Sequence, residues 1–307
     1  MKALVTGGGG FIGSNLVRGL LEGGNDVRVL DNFATGNRAN LADLDIELVE
    51  GELRSYERVH RAVRGIDVVF HLGALGSVPR SVQDPLTSNA VNVDGTLNVL
   101  LAARDEGVRR VVFSSSSSIY GRLRELPVTE AQAPDPVSPY GVAKLAAERY
   151  CVSFARVYEQ FETVVLRYFN VFGPRQSPLS AYAAVIPLFV TRIAGGSPIT
   201  IEGDGGQSRD FTYISNVVDA TIKAAHAADA SGQIYNVAAS APATVMEVAD
   251  TIGRILGREV VKEFAPSRAG DIRDSWADVT AARKAFDWES KVGLEEGLQL
   301  TIDALLG

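Results

Sequence analysis

Cysteine is nearly absent from this chain of 307 residues: Cys151 stands alone, which excludes an internal disulfide and any cysteine metal cluster. Three histidines, at positions 60, 71 and 226, are too scattered to give a ligand spacing, so no metal site is expected. A reducing cytoplasm fits. No stretch reaches about 18 apolar residues, and the first residues enter a strand directly without a basic leader and cleavage site, so neither membrane insertion nor export is expected. Basic charge is in deficit as well. The formal net charge of -7 argues against a general nucleic-acid surface and leaves any anionic ligand to local donors. Against these absences stands a hydrophobic content of 46%, enough to bury a large core in one domain or two.

Met1 to Val5 is a short apolar run, followed at once by Thr6-Gly7-Gly8-Gly9-Gly10-Phe11-Ile12-Gly13 and a helical pattern at Leu16, Val17, Leu20 and Leu21. Gly7, Gly10 and Gly13 have the spacing of a dinucleotide-binding turn. The early glycines let the backbone approach a pyrophosphate at the helix N-terminus, and the last lets the helix pack tightly on its strand. A second strand, Asp26 to Leu30, ends in Asp31, where an acidic side chain binds the adenosine ribose hydroxyls and disfavours a 2′-phosphate; NAD is expected over NADP. Arg28 and Arg38 read as solvated at least as readily as phosphate-binding.

Ile46 to Val49, Asp67 to His71, Val111 to Ser115 and Val164 to Arg167 read as further strands, with helices from Ser55 to Val63 and from roughly Pro85 to Glu106. Such alternation predicts an α/β fold, a doubly wound parallel sheet with ligands at the carboxyl ends of its strands. Glu52 at one such end faces adenine or solvent. His71-Leu72-Gly73-Ala74 lies at another, where small residues let the chain pass close to a cofactor; His71 itself reads as a hydrogen-bonded strand-end histidine, and Asn92 has a structural reading too. After Phe172-Gly173-Pro174 the rhythm loosens into Gly- and Pro-bearing loops, short strands near Pro198 to Ile201, and helices from Val245 to Leu256 and Glu295 to Leu306. A smaller, interleaved C-terminal substrate domain is expected. Its boundaries are 173–210 and 239–307, leaving 1–172 with about 211–238 to the dinucleotide-binding domain.

Ser138 is a good N-cap and Pro139 a good first helical residue, so a helix opens there and carries an apolar face through Val142, Leu145, Ala146 and Phe154. Tyr140 sits in its first turn. Lys144, four residues on, falls on the same face, where its ammonium would favour the ionised phenol. Tyr-x-x-x-Lys also recurs on ordinary amphipathic helices, so its weight comes from context. Ser114-Ser115-Ser116-Ser117-Ser118 supplies that context: the serines leave an apolar strand where such a sheet presents reactive groups, although loop filler is the bland alternative. A hydroxyl beside a polarised phenol is a proton-transfer pair.

Thr6 to Gly13, Asp31-Asn32, His71 to Ala74, Ser114 to Gly121, Tyr140 to Lys144, Arg167 to Pro174, Arg209-Asp210-Phe211, Tyr235-Asn236 and Arg268 to Asp271 carry a resemblance over nearly the whole chain. With them the sequence resembles the extended short-chain dehydrogenase/reductase superfamily, and within it the UDP-glucose 4-epimerase family, with UDP-N-acetylglucosamine 4-epimerases nearest. The resemblance implies a Rossmann-like fold, NAD as cofactor and a UDP-sugar as substrate. It implies that Tyr140 is the catalytic base and acid, that Lys144 holds the nicotinamide ribose, and that Ser116 bonds the substrate's 4-hydroxyl. It implies cofactor contacts from Gly7, Gly10, Phe11, Ile12, Gly13, Asp31, Asn32, Glu52, Leu53, Leu72, Ala74, Ser114 and Tyr168. Substrate contacts are implied for Ser117, Ser118, Asn170, Arg209, Arg268, Asp271 and Ser275.

Departures from the family pattern are few: Glu52 stands where relatives commonly have Asp, and Gly73 where Ala is usual. Related dehydratases carry Thr-Asp-Glu where this chain has Ser116-Ser117-Ser118, and related decarboxylases a glutamate at the position of Ser118; lacking those carboxylates, the chain is expected to epimerise. The run Gln176-Ser177-Pro178-Leu179-Ser180-Ala181-Tyr182 is similar to relatives that handle neutral hexoses and N-acetylhexosamines, and Ser275 stands where a bulky Tyr restricts some members to plain hexoses. Arg192 reads as exposed. A UDP-glucuronate 4-epimerase is the alternative within the family; an NAD-binding sensor or scaffold without turnover is the alternative outside it. The resemblance also implies a homodimer through a four-helix bundle, for which Leu97, Leu100 and Leu101 on one helix and Tyr150, Phe154 and Val157 on the other are the apolar material.

Overall fold

The computed structural model of the protein describes residues 1–122, 125–178, 184–267 and 273–307. In chain order come β1 (Lys2–Thr6), α1 (Phe11–Glu22), β2 (Asp26–Asp31), β3 (Glu47–Glu50), α2 (Tyr56–Val63), β4 (Val68–His71), α3 (Val78–Gln83) and α4 (Pro85–Asn89). Then follow α5 (Gly95–Asp105), β5 (Arg110–Ser116), α6 (Pro139–Val157), β6 (Glu162–Tyr168), β7 (Val171–Phe172), α7 (Val185–Ala194), β8 (Ile199–Glu202), β9 (Ser208–Arg209) and β10 (Thr212–Tyr213). The chain closes with α8 (Ile214–His226), β11 (Gln233–Val237), β12 (Ala243–Thr244), α9 (Val245–Leu256), β13 (Lys262–Ala265), β14 (Asp274–Ser275), α10 (Thr280–Phe286) and α11 (Leu294–Leu306).

Seven strands form one sheet in the order β11-β6-β5-β4-β1-β2-β3, and every pairing in it is parallel. This is the doubly wound, Rossmann-like α/β architecture. Both faces are covered, which is why the strands read as continuous apolar runs. Within β1, Ala3 and Val5 enter the core that Val17 of α1 and Val217 of α8 share, while Leu4 enters the opposite core with Val59 of α2, Val99 of α5 and Ala147 of α6. Smaller pairings, β8 with β13 and β9 with β12 and β14, lie outside the large sheet. Strand order reverses between β1 and β4, and a ligand crevice belongs at the carboxyl ends of those two strands.

Three sequence expectations need correction. The helix expected from Pro85 to Glu106 is α4, a π-helical turn at Ala90–Asp94 and then α5. Tertiary contacts account for the turn: the Asn92 amide exchanges hydrogen bonds with the Leu75 backbone at 2.8 and 3.2 Å, and a Cβ on Gly95 would lie 2.9 Å from Leu53 Cβ. Arg28 is buried instead of solvated, donating to the Ala62 and Arg64 carbonyls at 2.7 and 2.9 Å and pairing with Glu47 at 2.8 Å. Leu100 and Phe154, expected at a dimer contact, lie in the chain's own core, whereas Tyr150 and Val157 are exposed. Among the described residues, no helix is long and apolar enough to cross a membrane, and no cluster of His, Cys, Asp and Glu could hold a metal ion.

Candidate active site

The loops that leave β1 and β4 touch. Gly7 has φ +72°, and a Cβ on it would lie 2.7 Å from both Cα and N of Gly73, so the two loops approach as closely as bare backbone allows. Any side chain at Gly13 would run into the Gly7 carbonyl oxygen, which seats α1 directly on the turn. The helix opens at Gly10 without a side-chain cap or an acidic residue in its first turn, leaving its first N–H groups to an anion. Asp31 closes the turn from the other side: its buried carboxylate accepts from Gly9 N–H at 2.8 Å and from Phe33 N–H at 2.7 Å.

Above this cradle lies a cleft of about 760 Å³ lined by Gly7, Gly10, Phe11, Ile12, Gly13, Asp31, Asn32, Glu52, Leu53, Leu72, Ala74 and Ser114. A glycine turn that leads into the uncapped N–H groups of α1, with an acid at the end of β2, fits a dinucleotide without a 2′-phosphate. Tyr168 is placed elsewhere: its hydroxyl is buried and hydrogen-bonded to Thr221 at 2.7 Å, and burial pushes its pKa up. Arg38, left open as a phosphate ligand, pairs with Glu50 and lies 4.2 Å over the Phe33 ring.

Thr35, Gly36 and Arg54 line the cleft without belonging to a motif read from the sequence. Thr35 and Gly36 belong to a loop that folds back onto the glycine turn, with Asn37 N–H and the Asn40 amide both donating to the Gly9 carbonyl at 2.9 Å. Gln176 and Ser177 reach the cleft because Asn15 on α1 donates to the Pro174 carbonyl at 3.1 Å. Arg54, paired with Glu52, Arg80 and Asp84 add further charge to the lining. A polar, Gly-bearing stretch right after Asp31 was the available signal for Thr35 and Gly36; the reach of Gln176 and Ser177 into the cleft depends on a contact remote in sequence.

His71 is structural, as expected. Thr96 Oγ1 donates to the Asn92 carbonyl at 2.7 Å, so it must accept from His71 Nε2, 3.0 Å away. Nδ1 is then an acceptor for Thr6 Oγ1 at 2.7 Å, and Thr6 Oγ1 in turn accepts from Gly73 N–H at 3.1 Å. The relay requires a neutral ring. Burial, and then the Lys144 charge, bring the imidazole down to about 3.

The serine strand and the tyrosine helix meet at the far end of β5. Ser138 caps α6 by accepting from Gly141 N–H at 3.1 Å, and Gly141 lets the first turn settle on the serine loop: a Cβ there would lie 2.7 Å from the Ser118 carbonyl oxygen. That close approach brings Tyr140 to Ser116. Burial holds the Tyr140 phenol above its ordinary pKa, and a hydrogen bond with Ser116 pulls it back down. Ser116 Oγ accepts from Ser118 N–H at 3.1 Å, which leaves its proton free to donate. The expected lowering of the phenol by Lys144 is corrected here: the ammonium donates to the Ser114 carbonyl at 2.7 Å, lies 4.8 Å over the Phe113 ring, and is brought down by burial to about 8.

The residues expected to hold substrate are spread wider. Ser117 and Ser118 form a 3-10 turn directly after Ser116. Asn170, between β6 and β7, has φ 33° and accepts on its carbonyl from Thr212 N–H at 3.2 Å. Arg209 and Ser275 are opposite each other in the β9–β14 pair, Ser275 buried. Arg268 and Asp271, and Leu179 to Tyr182 of the run after Gly173-Pro174, lie outside the described residues. Arg192 is exposed and donates to the Pro198 carbonyl at 3.1 Å.

Comparison with known proteins agrees with this geometry. The model of the NAD dependent epimerase/dehydratase family matches residues 3–238. The UDP-glucose 4-epimerase of Mycolicibacterium smegmatis is 36% identical across 99% of this chain and 98% of its own. A solved Thermus thermophilus UDP-glucose 4-epimerase in complex with NAD is 38% identical, with a TM-score of 0.92 over 100% of this chain and 99% of that one. The UDP-N-acetylglucosamine 4-epimerase of Methanobrevibacter ruminantium, solved with UDP-N-acetylmuramic acid, is 36% identical, with a TM-score of 0.94 over 99% of this chain and 98% of that one. Since the family model spans well over half of the sequence and the relatives align end to end, the chain belongs to the NAD dependent epimerase/dehydratase family.

Proposed function

We propose that this chain is a UDP-sugar 4-epimerase that inverts C4 of a UDP-hexose or a UDP-N-acetylhexosamine while NAD stays bound. The observation that carries the reading is that Tyr140 is brought beside Ser116, which draws its phenol's pKa back down, with buried Lys144 one turn further along α6 and no carboxylate at positions 117 and 118. Expelling a hydroxyl from C6 needs an acid and a base beyond the tyrosine, and Ser117 and Ser118 offer neither. Inversion at C4 needs one group that takes the hydroxyl proton and gives it back. Tyr140 serves both halves: Ser116 donates to its ionised form and stabilises it, and the phenol later returns the proton. NAD, when bound, supplies the hydride acceptor. Lys144 holds the nicotinamide ribose, and Ser116 fixes the substrate's 4-hydroxyl beside the phenol.

In this reading residues 1–172 with about 211–238 hold the cofactor, and 173–210 and 239–307 hold the UDP-sugar. Arg209 and Arg268 supply fixed cations for the diphosphate, with Asn170 and Asp271 completing the nucleotide contacts. The protein works in the cytoplasm. Buried Ser275 beside Arg209 leaves room for an N-acetyl group at C2. A turnover panel of UDP-glucose, UDP-N-acetylglucosamine and UDP-glucuronate at equal concentration tests the assignment: the first two are expected to convert, and Ser275→Tyr to suppress only the N-acetyl substrate by steric exclusion. Conversion of UDP-glucuronate alone overturns the neutral-sugar reading. NAD-loaded protein that converts none of the three is a sensor or scaffold.

The same reading includes a homodimer through a four-helix bundle of α5 and α6 from each chain. Its support is an exposed apolar face on α6, made by Val142, Tyr150 and Val157, beside the half-buried Leu97 and Leu101 of α5. Light scattering at micromolar concentration is expected to give twice the chain mass; a mass of one chain refutes the dimer.

A further inference from the structure

A chain of buried polar contacts starts one residue from Ser116 and ends one residue from Ser275. Ser115 Oγ donates to Glu148 Oε2 at 3.0 Å; Arg167 clamps the same carboxylate through Nε at 3.0 Å and Nη2 at 2.6 Å. Its remaining Nη1 donates to the Tyr120 hydroxyl at 2.6 Å, and that hydroxyl donates to Asn236 Oδ1 at 2.7 Å. The Asn236 amide group then reaches two carbonyls, Val128 at 3.0 Å and Asp278 at 3.2 Å, while Asn236 N–H is held by Glu130 at 2.7 Å. Val128 N–H donates to the Trp276 carbonyl at 2.9 Å, and Asp278 N–H to the Val128 carbonyl at 2.9 Å.

Burial makes this chain more than a list of bonds. Glu148, Arg167 and Asn236 are essentially without solvent contact, so a lost partner cannot be replaced by water. Glu148 lies on α6, one turn after Lys144, and Arg167 on β6; Tyr120 follows the serine turn directly. At the far end the strap 276–278 is tied to the residue next to Arg209, because Asp210 Oδ2 accepts from Ala277 N–H at 3.1 Å. The network therefore joins the proton-transfer serine and tyrosine to the strand pair that carries Arg209 and Ser275.

We propose that Tyr120, with Glu148, Arg167 and Asn236, forms a positioning device that sets the register between the Ser116–Tyr140 pair and the sugar-binding strap at Ser275 to Asp278. The proposal rests on the epimerase reading for its kinetic consequence and on the network alone for its structural one. Tyr120→Phe is the sparing variant, since it keeps the ring packed on Phe169 and under Arg167 while removing the single hydroxyl that passes the chain onward. It is expected to lower kcat about 10- to 100-fold, the scale of a small misplacement of reacting groups, with KM within about 2-fold. Combined with Ser116→Ala, the loss in kcat is expected to fall well short of the product of the single losses, because both changes disturb one alignment. Thr163→Val is the control: it removes an equally buried hydroxyl that ties β6 to α6 through the Cys151 carbonyl at 2.8 Å, outside the network, and kcat is expected to stay unchanged. Amide hydrogen exchange on the same proteins reads the coupling without turnover: Tyr120→Phe is expected to speed exchange at Ser118, Val128 and Asp278 together. Unchanged exchange at those amides overturns the proposal whether or not the unaltered protein converts a UDP-sugar. So do multiplicative losses in kcat, or an equal loss in Thr163→Val. Failure of the unaltered protein to convert any UDP-sugar refutes the epimerase reading instead, and leaves the exchange result to decide the network.

Discussion

Tyr140→Phe is expected to lower kcat by more than about 100-fold, the low end for a positioned proton-transfer group, while NAD retention stays near that of the unaltered protein. The separation follows from how Tyr140 is held. Its backbone N–H donates to Ser81 Oγ at 3.0 Å and its helix is capped by Ser138, so neither its place nor the start of α6 depends on the phenol. The glycine cradle and Asp31 lie on other elements and keep their hydrogen bonds. Loss of the hydroxyl removes the group beside Ser116 that takes the sugar's proton in the proposed reaction, and a serine hydroxyl is by itself too weak a base to replace it. Initial rates with UDP-glucose, together with the NAD content of the purified variant, check both halves. A rate within tenfold of the unaltered protein sinks the assignment of Tyr140 as base and acid.

Arg167→Leu is expected to lower the free energy of unfolding by about 3–5 kcal/mol, because it strands a fully buried carboxylate without its cation. Glu148 has no exposed surface and receives three hydrogen bonds, two of them from Arg167. Replacing Glu148 by Leu as well removes the uncompensated charge, and the double variant is expected to recover a substantial part of the loss. Chemical denaturation of the three proteins decides: a single variant that loses less than about 1 kcal/mol, or a double variant less stable than the single, contradicts the account of a buried, mutually dependent pair.

These two residues also mark the limits of what the sequence conveyed. The opening of α6 at Ser138, the capped span of α9 from Val245 to Leu256, and the glycine cradle were legible because caps, apolar spacing and glycine turns are local signals. Glu148 and Arg167 were not. A glutamate on an amphipathic helix and an arginine at a strand end look alike whether they face water or each other, and only the sheet decides that they meet. The burial of Arg28 was hidden for the same reason. The π-helical turn at Ala90–Asp94 was hidden because its cause lies in Leu75 and Leu53, far off in the chain. The placing of Ser116 at a strand end and of Tyr140 and Lys144 on one helix was readable from local pattern, but the direction of the phenol's pKa was not: it depends on burial, which no spacing records.

Asp31 has a consequence for altering the cofactor. One oxygen of its carboxylate anchors the glycine turn through Gly9 and the other shapes the following loop through Phe33, so the ribose selection proposed for it and the cradle geometry would share one side chain. Exchanging it for a neutral or basic residue to admit a 2′-phosphate would therefore also release the turn on which the pyrophosphate depends. Redesign towards NADP has to supply a new acceptor for Gly9 N–H before any gain in phosphate affinity can appear, and substitutions confined to the adenosine end would disturb a site they do not touch.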